Sequence, residues 1–126
     1  MELMDRRSFL RVPFESEAVV ASSGGWIEGT MKNLCLAGAF IRTQGIIEPE
    51  TEVEIEILRD APSFAASLIL DAKVVRHEAE GIAIRFTRMT TDVYKQLEDT
   101  VSRIHGDRET VVAEFVKFLN FEWKYD

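Results

Sequence analysis

The clearest pattern in the chain is the alternation from Thr51 to Leu58, where Val53, Ile55 and Ile57 are separated by Glu54 and Glu56 and preceded by Glu52. A period of two puts each set on its own face of a strand, so the segment predicts a half-buried strand with an acidic outer face. The same reading predicts strands at 17–21, 26–32, 36–43, 65–76 and 81–86. Their boundaries are turn formers: Ser22-Ser23-Gly24-Gly25, the Asn33 turn, Gln44-Gly45, the stretch from Asp60 to Ser63 with Pro62, and His77 to Glu80. In the second strand Trp26, Glu28, Thr30 and Lys32 share one face. Pro13 biases Val12 away from helix and marks the entry to the first strand.

Beyond residue 90 the period changes. Tyr94, Leu97, Val101 and Ile104 recur at three-four spacing, which predicts a helix starting after Thr90-Thr91 with Asp92 in its first turn. Gly106 is a natural C-terminal stop, and Asp107 can cap a second helix with Val111, Val112, Phe115, Phe118 and Leu119 on its apolar side. Six short strands followed by helices predict a fold that is mainly β with C-terminal α, a six-stranded antiparallel barrel or sandwich. The expected organisation is an arm at 1–14, a barrel at 15–89 and a helical extension at 90–126. The helical stripes are expected to cover one barrel opening. A homodimer through leftover apolar surface, including the aromatic tail Phe121 to Tyr125, is the alternative.

Composition narrows the function. At 126 residues, 46% hydrophobic and 29% charged, the chain suits one globular domain. A net charge of -7 argues against extended nucleic acid as a partner, because counterion release needs a broad basic face. The apolar runs are too short for membrane insertion, and Arg6 and Arg7 are followed by no apolar stretch of a signal peptide. With one cysteine there is no internal disulfide, so a reducing cytoplasmic setting is expected. His77 and His105 have no Cys or His partner at ligand spacing, so no metal site is expected. No phosphate loop or Ser/His/Asp signature is present, and the chain is expected not to be an enzyme.

Positive charge is concentrated at Arg6, Arg7 and Arg11. Arginine is permanently charged, forks onto phosphate and matches the O6 and N7 acceptors of guanine. Two arginines four apart on an arm could reach around a small anion. The second motif is Asn33-Leu-Cys-Leu-Ala-Gly38. Asn33 offers a donor and an acceptor, for a base edge or for the turn itself. Gly38 removes a side chain where backbone must approach something closely or the sheet bends.

Arg7-Ser-Phe-Leu-Arg11 followed by Asn33-Leu-Cys-Leu-Ala-Gly38 resembles the PilZ domain, a bacterial receptor for cyclic di-GMP. Gly81-Ile-Ala-Ile-Arg-Phe86 is similar to the closing strand of that family, with Ala83 where a second glycine is common. The resemblance implies a PilZ-like split barrel, with cyclic di-GMP as ligand and no other cofactor. It implies that Arg7 and Arg11 contact guanine edges and phosphates, with Arg6 adding charge or stacking. Asn33, Cys35 and the turn through Gly38 would form the opposite wall. The implied function is a signalling receptor whose arm orders on the ligand and alters contacts with an effector protein, as yet unidentified.

Cys35 stands where the family usually has serine. A thiol is a weaker hydrogen-bonding group than a hydroxyl. One lost neutral hydrogen bond is worth about 1 kcal/mol, roughly fivefold in affinity. The loss is larger if the hydroxyl braces the turn. The alternative function is therefore a protein-interaction adaptor that binds cyclic di-GMP weakly or not at all.

Overall fold

A computed structural model describes residues 11–58 and 67–122 of the chain, with side chains as far as 116. Six strands come first: β1 (Val12–Ser22), β2 (Gly25–Leu34), β3 (Gly38–Arg42), β4 (Glu52–Ile57), β5 (Leu68–Glu78) and β6 (Gly81–Arg88). Two helices follow, α1 (Thr91–His105) and α2 (Arg108–Glu122). All strand pairs are antiparallel, and the order β1-β2-β3-β6-β5-β4 closes into a barrel because β1 pairs with both β2 and β4. Closure leaves no free sheet edge among the described strands.

The alternation read from β4 is realised: Val53, Ile55 and Ile57 are buried while Glu52 and Glu54 face solvent. The interior is filled by Val20, Met31, Leu34, Ile41, Ile55, Ile57, Leu68, Val74, Ile82 and Phe86, all essentially inaccessible. Ser16 also points inward, and its hydroxyl donates to the Leu58 carbonyl at 2.9 Å, so the buried oxygen is satisfied at the β1–β4 closure. β1 starts at Val12, five residues before the apolar run that announces it. Polar residues alternate with buried Val12, Phe14 and Ser16 there, so the strand is long but its inward face is mixed.

Both helices are capped as their sequence suggests. The Thr90 hydroxyl accepts from the Val93 amide at 3.1 Å, and Gly106 ends α1 in the left-handed region with its N–H donating to the Ser102 carbonyl at 2.7 Å. Asp107 accepts from the Thr110 amide and hydroxyl at 3.3 and 2.6 Å. α1 packs against β1 and β5, and α2 against α1. Leu97, Val101, Val111 and Phe115 belong to the same buried cluster as the barrel residues, so the helices extend the core. Tyr94 stacks on Phe115, with ring centroids 5.2 Å apart at an interplanar angle of 28°. Ile104, the fourth member of the α1 stripe, remains exposed.

Candidate functional site

The antiparallel register aligns one residue from each of five neighbouring strands. Pro13 of β1 stands opposite Asn33 of β2, Asn33 opposite Phe40 of β3, Phe40 opposite Ala83 of β6, and Ala83 opposite Arg76 of β5. Phe40 and Ala83 each lie between residues buried in the barrel, so this row runs along the barrel's outer face. With strands about 4.8 Å apart, Asn33 and Arg76 are separated by three spacings, about 14 Å along the sheet.

Two β-bulges put Asn33 and Arg76 on that face. β2 carries one residue more than β3 between Met31 and Asn33, and β5 one more than β6 between Val74 and Arg76. Simple alternation would send Asn33 inward with Met31, and Arg76 inward with Val74. The additional residues, Lys32 and Val75, reverse the phase, so Leu34 rather than Asn33 enters the core. Bulges re-aim side chains in this way beside binding sites.

The row floors a cleft of about 280 Å³ lined by Arg11, Asn33, Cys35, Phe40, Arg76, Glu78 and Glu80, among others. Four of the six residues singled out in the sequence, Arg11, Asn33, Cys35 and Gly38, therefore meet at one place. Arg6 and Arg7 lie outside the described residues. Two of the lining residues each carry a buried polar atom without a hydrogen-bond partner: Asn33 Oδ1, an acceptor, and Arg76 Nη2, a donor. Buried polar groups are normally satisfied, and each exception requires an explanation. Arg76 is otherwise held in place, its Nε paired with the Glu78 carboxylate.

The turn from Cys35 to Gly38 is tied down by backbone. The Cys35 amide donates to the Gly38 carbonyl at 2.9 Å, and the Phe86 amide to the Ala37 carbonyl at 2.8 Å. The Cys35 side chain is 6% exposed, and its sulfur faces the Ala37 and Gly38 amides. Burial pushes its thiol pKa up; those amides and the Arg11 charge pull it back, and Glu114 of α2 adds to the rise. The sulfur is thus placed to brace the turn through those amides, and its burial works against thiolate formation. Gly38 has a different reason. A β-carbon there would lie 2.1 Å from the Ile84 carbonyl oxygen, so its missing side chain lets β3 approach β6.

Sequence reading missed Phe40, Arg76, Glu78 and Glu80. A signal was present for Arg76. It follows Leu70, Ala72 and Val74 at period two, and an arginine on an inward register marks either a bulge or a site. Among the described residues, no group of three or more His, Cys, Asp or Glu side chains is placed to hold a metal ion. No described helix is long and apolar enough to cross a membrane.

Comparison with known proteins identifies the family and the fold. The family model for the PilZ domain matches residues 5–103. The PilZ domain of YcgR from Escherichia coli, solved with c-di-GMP, superposes with a TM-score of 0.65 at 13% identity, covering 81% of this chain and 93% of that one. The PilZ domain of CeSA from a cellulose-synthesizing bacterium gives 0.57 at 20% identity, covering 77% and 96%. The Bacillus subtilis inhibitor of motility MotI/DgrA gives 0.64 at 13% identity, covering 83% of this chain and 54% of its own. At these identities the likeness is one of fold. No curated protein sequence matches the chain.

Proposed function

The chain belongs to the PilZ domain family, and from that premise we propose that it is a cyclic di-GMP receptor acting on a partner protein in the cytoplasm. The observation that carries this reading is the convergence of Arg11, Asn33 and the Cys35–Gly38 turn on one cleft, with Asn33 Oδ1 buried and unsatisfied. These residues come from two segments more than twenty positions apart in sequence, which the β1–β2 register brings side by side, with Val12 opposite Leu34 and Pro13 opposite Asn33.

The ligand has two phosphates and two guanines. Arg11 supplies a permanent charge at the mouth of the cleft, and Arg6 and Arg7 would bring two more from the arm. Asn33 Oδ1 is an acceptor suited to a guanine N–H donor. Cys35 acts through the turn, by fixing the amides of Ala37 and Gly38, and Gly38 acts by letting that turn sit against β6. Contacts between the arm arginines and a bound ligand would change the surface offered to an effector, which makes the arm the switch.

Calorimetric titration of the full chain with cyclic di-GMP tests the reading. Saturable binding is expected, and Arg7→Ala and Arg11→Ala should each weaken it strongly. No heat and no chemical-shift change at high micromolar ligand would refute it. One feature favours the adaptor reading instead: the carboxylates of Glu78 and Glu80 also line the cleft and oppose an anion. Partner capture that is indifferent to cyclic di-GMP and to Arg7→Ala would establish that second reading.

A further inference from the structure

Arg76, at the far end of the row from Asn33, lies outside both sequence motifs. Its guanidinium is fixed by Glu78 through Nε, and Nη2, on a side chain that lines the cleft, is a buried donor with nothing to bond. A bulge one residue earlier turns the side chain out of the barrel, and its cross-strand neighbour is the small Ala83, which leaves room above the sheet. Phe40 presents an aromatic side chain on the far side of Ala83. Glu78 and Glu80 complete this end with acceptors only.

This donor and acceptor arrangement matches one base. Guanine has two acceptors, O6 and N7, along one edge, suited to an arginine fork. Its ring N–H and exocyclic amine are donors suited to a carboxylate. Adenine has an amine where guanine has O6, so its donor would face the guanidinium donor. A phosphate fits less well, because Glu78 already offsets the Arg76 charge and Glu80 repels an anion.

We infer that Arg76, oriented by Glu78, is a base-reading residue that selects guanine over adenine at the β5–β6 end of the cleft. The inference rests on the cyclic-dinucleotide reading of the site and adds to it the device for base selection. Phe40 provides a surface on which a base could stack while its edge is read.

The test is titration of the full-length chain with cyclic di-GMP and cyclic di-AMP, for wild type, Arg76→Ala and Arg76→Lys. Wild type should prefer the guanine dinucleotide. Arg76→Ala should lose at least about tenfold in affinity for cyclic di-GMP while binding of cyclic di-AMP changes little, so the preference collapses. Arg76→Lys should lose the preference too, since an ammonium lacks the planar fork. If circular dichroism shows Arg76→Ala unfolded, the ratio measured on Arg76→Lys decides. A merely structural Arg76–Glu78 pair would leave the ratio between the two ligands unmoved. An unchanged preference in both variants, with Arg11→Ala still defective, overturns this inference and leaves the receptor reading standing. A wild-type chain that takes up neither dinucleotide overturns both.

Discussion

Asn33 and Arg76 stand three strand spacings apart in a single cross-strand row, and each leaves a buried polar atom without a hydrogen-bond partner. Asn33 Oδ1 therefore contributes no internal hydrogen bond to stability, and its desolvation is a cost. Asn33→Ala should change folding stability by no more than about 0.5 kcal/mol in urea titration. Its binding of cyclic di-GMP should fall about tenfold, because a bound donor would satisfy the oxygen. Arg11→Ala removes charge-assisted bonds and should cost roughly 10- to 100-fold, again with little loss of stability, since Arg11 is exposed. A variant of Asn33 that loses stability and binding in parallel would show that the residue serves the turn alone.

Cys35 carries a pH signature. Burial raises its pKa above the ordinary 9.0, so the folded chain holds the thiol proton more tightly than the unfolded chain does. The stabilising contribution is complete below the unfolded value and is lost as pH rises through it toward the higher folded one. Urea midpoints should therefore drop from about pH 8 to about pH 10. Tyr94, whose pKa is raised chiefly by burial, acts in the same sense at higher pH. Comparison with Cys35→Ser separates the two, because the serine variant keeps the tyrosine and lacks the thiol. The difference between the two proteins should widen with pH across this window, and alkylation of Cys35 at neutral pH should be slow. Cys35→Ser should also bind cyclic di-GMP as well as wild type or better, since a hydroxyl is the stronger partner for the Ala37 and Gly38 amides.

The barrel was legible because its strands keep strict period two where no bulge interrupts them, as Glu52–Ile57 shows. The helices were legible from caps that act locally: Thr90, Gly106 and Asp107 each bond within a few residues of themselves. The site was half legible. Arg11, Asn33, Cys35 and Gly38 carry a spacing that can be read along the chain. Arg76, Phe40 and Glu78 reach the cleft through register, and register depends on bulges at Lys32 and Val75, of which only the second leaves a trace in the sequence, an arginine on the inward phase of β5. Lys32 was grouped with Thr30 on one face, a grouping that holds only until the bulge.

The docking of α2 rests on few side chains. Among the described residues Phe115 and Val111 are buried, Phe115 stacks on Tyr94, and Arg108 bridges to Glu98 and Asp99 at 3.1 Å each. Exposed ion pairs of this kind contribute little, so the aromatic contact dominates. Phe115→Ala should cost about 3 kcal/mol. Hydrogen exchange should quicken first in α2, while the amides of β4 and β5 stay protected. Uniform loss of protection would mean that the helix and the barrel unfold as one unit.

Gly38 and Gly106 are both required, for different physical reasons, and alanine separates them. At Gly106 the backbone has φ of 99°, with open space where a side chain would go. Alanine there should cost about 1 kcal/mol, and asparagine less, because its side chain tolerates the left-handed region. At Gly38 the backbone is ordinary, but the added carbon would meet the Ile84 carbonyl oxygen at 2.1 Å. No rotamer relieves a clash at the β-carbon, so β3 and β6 must separate. Gly38→Ala should cost about 3 kcal/mol and asparagine should not recover it. Thermal melts of the four variants give the ranking directly. Ligand binding by Gly38→Ala should then be lost together with the β3–β6 pairing. That distinguishes it from Asn33→Ala, in which the barrel stays intact and only the cleft loses its acceptor.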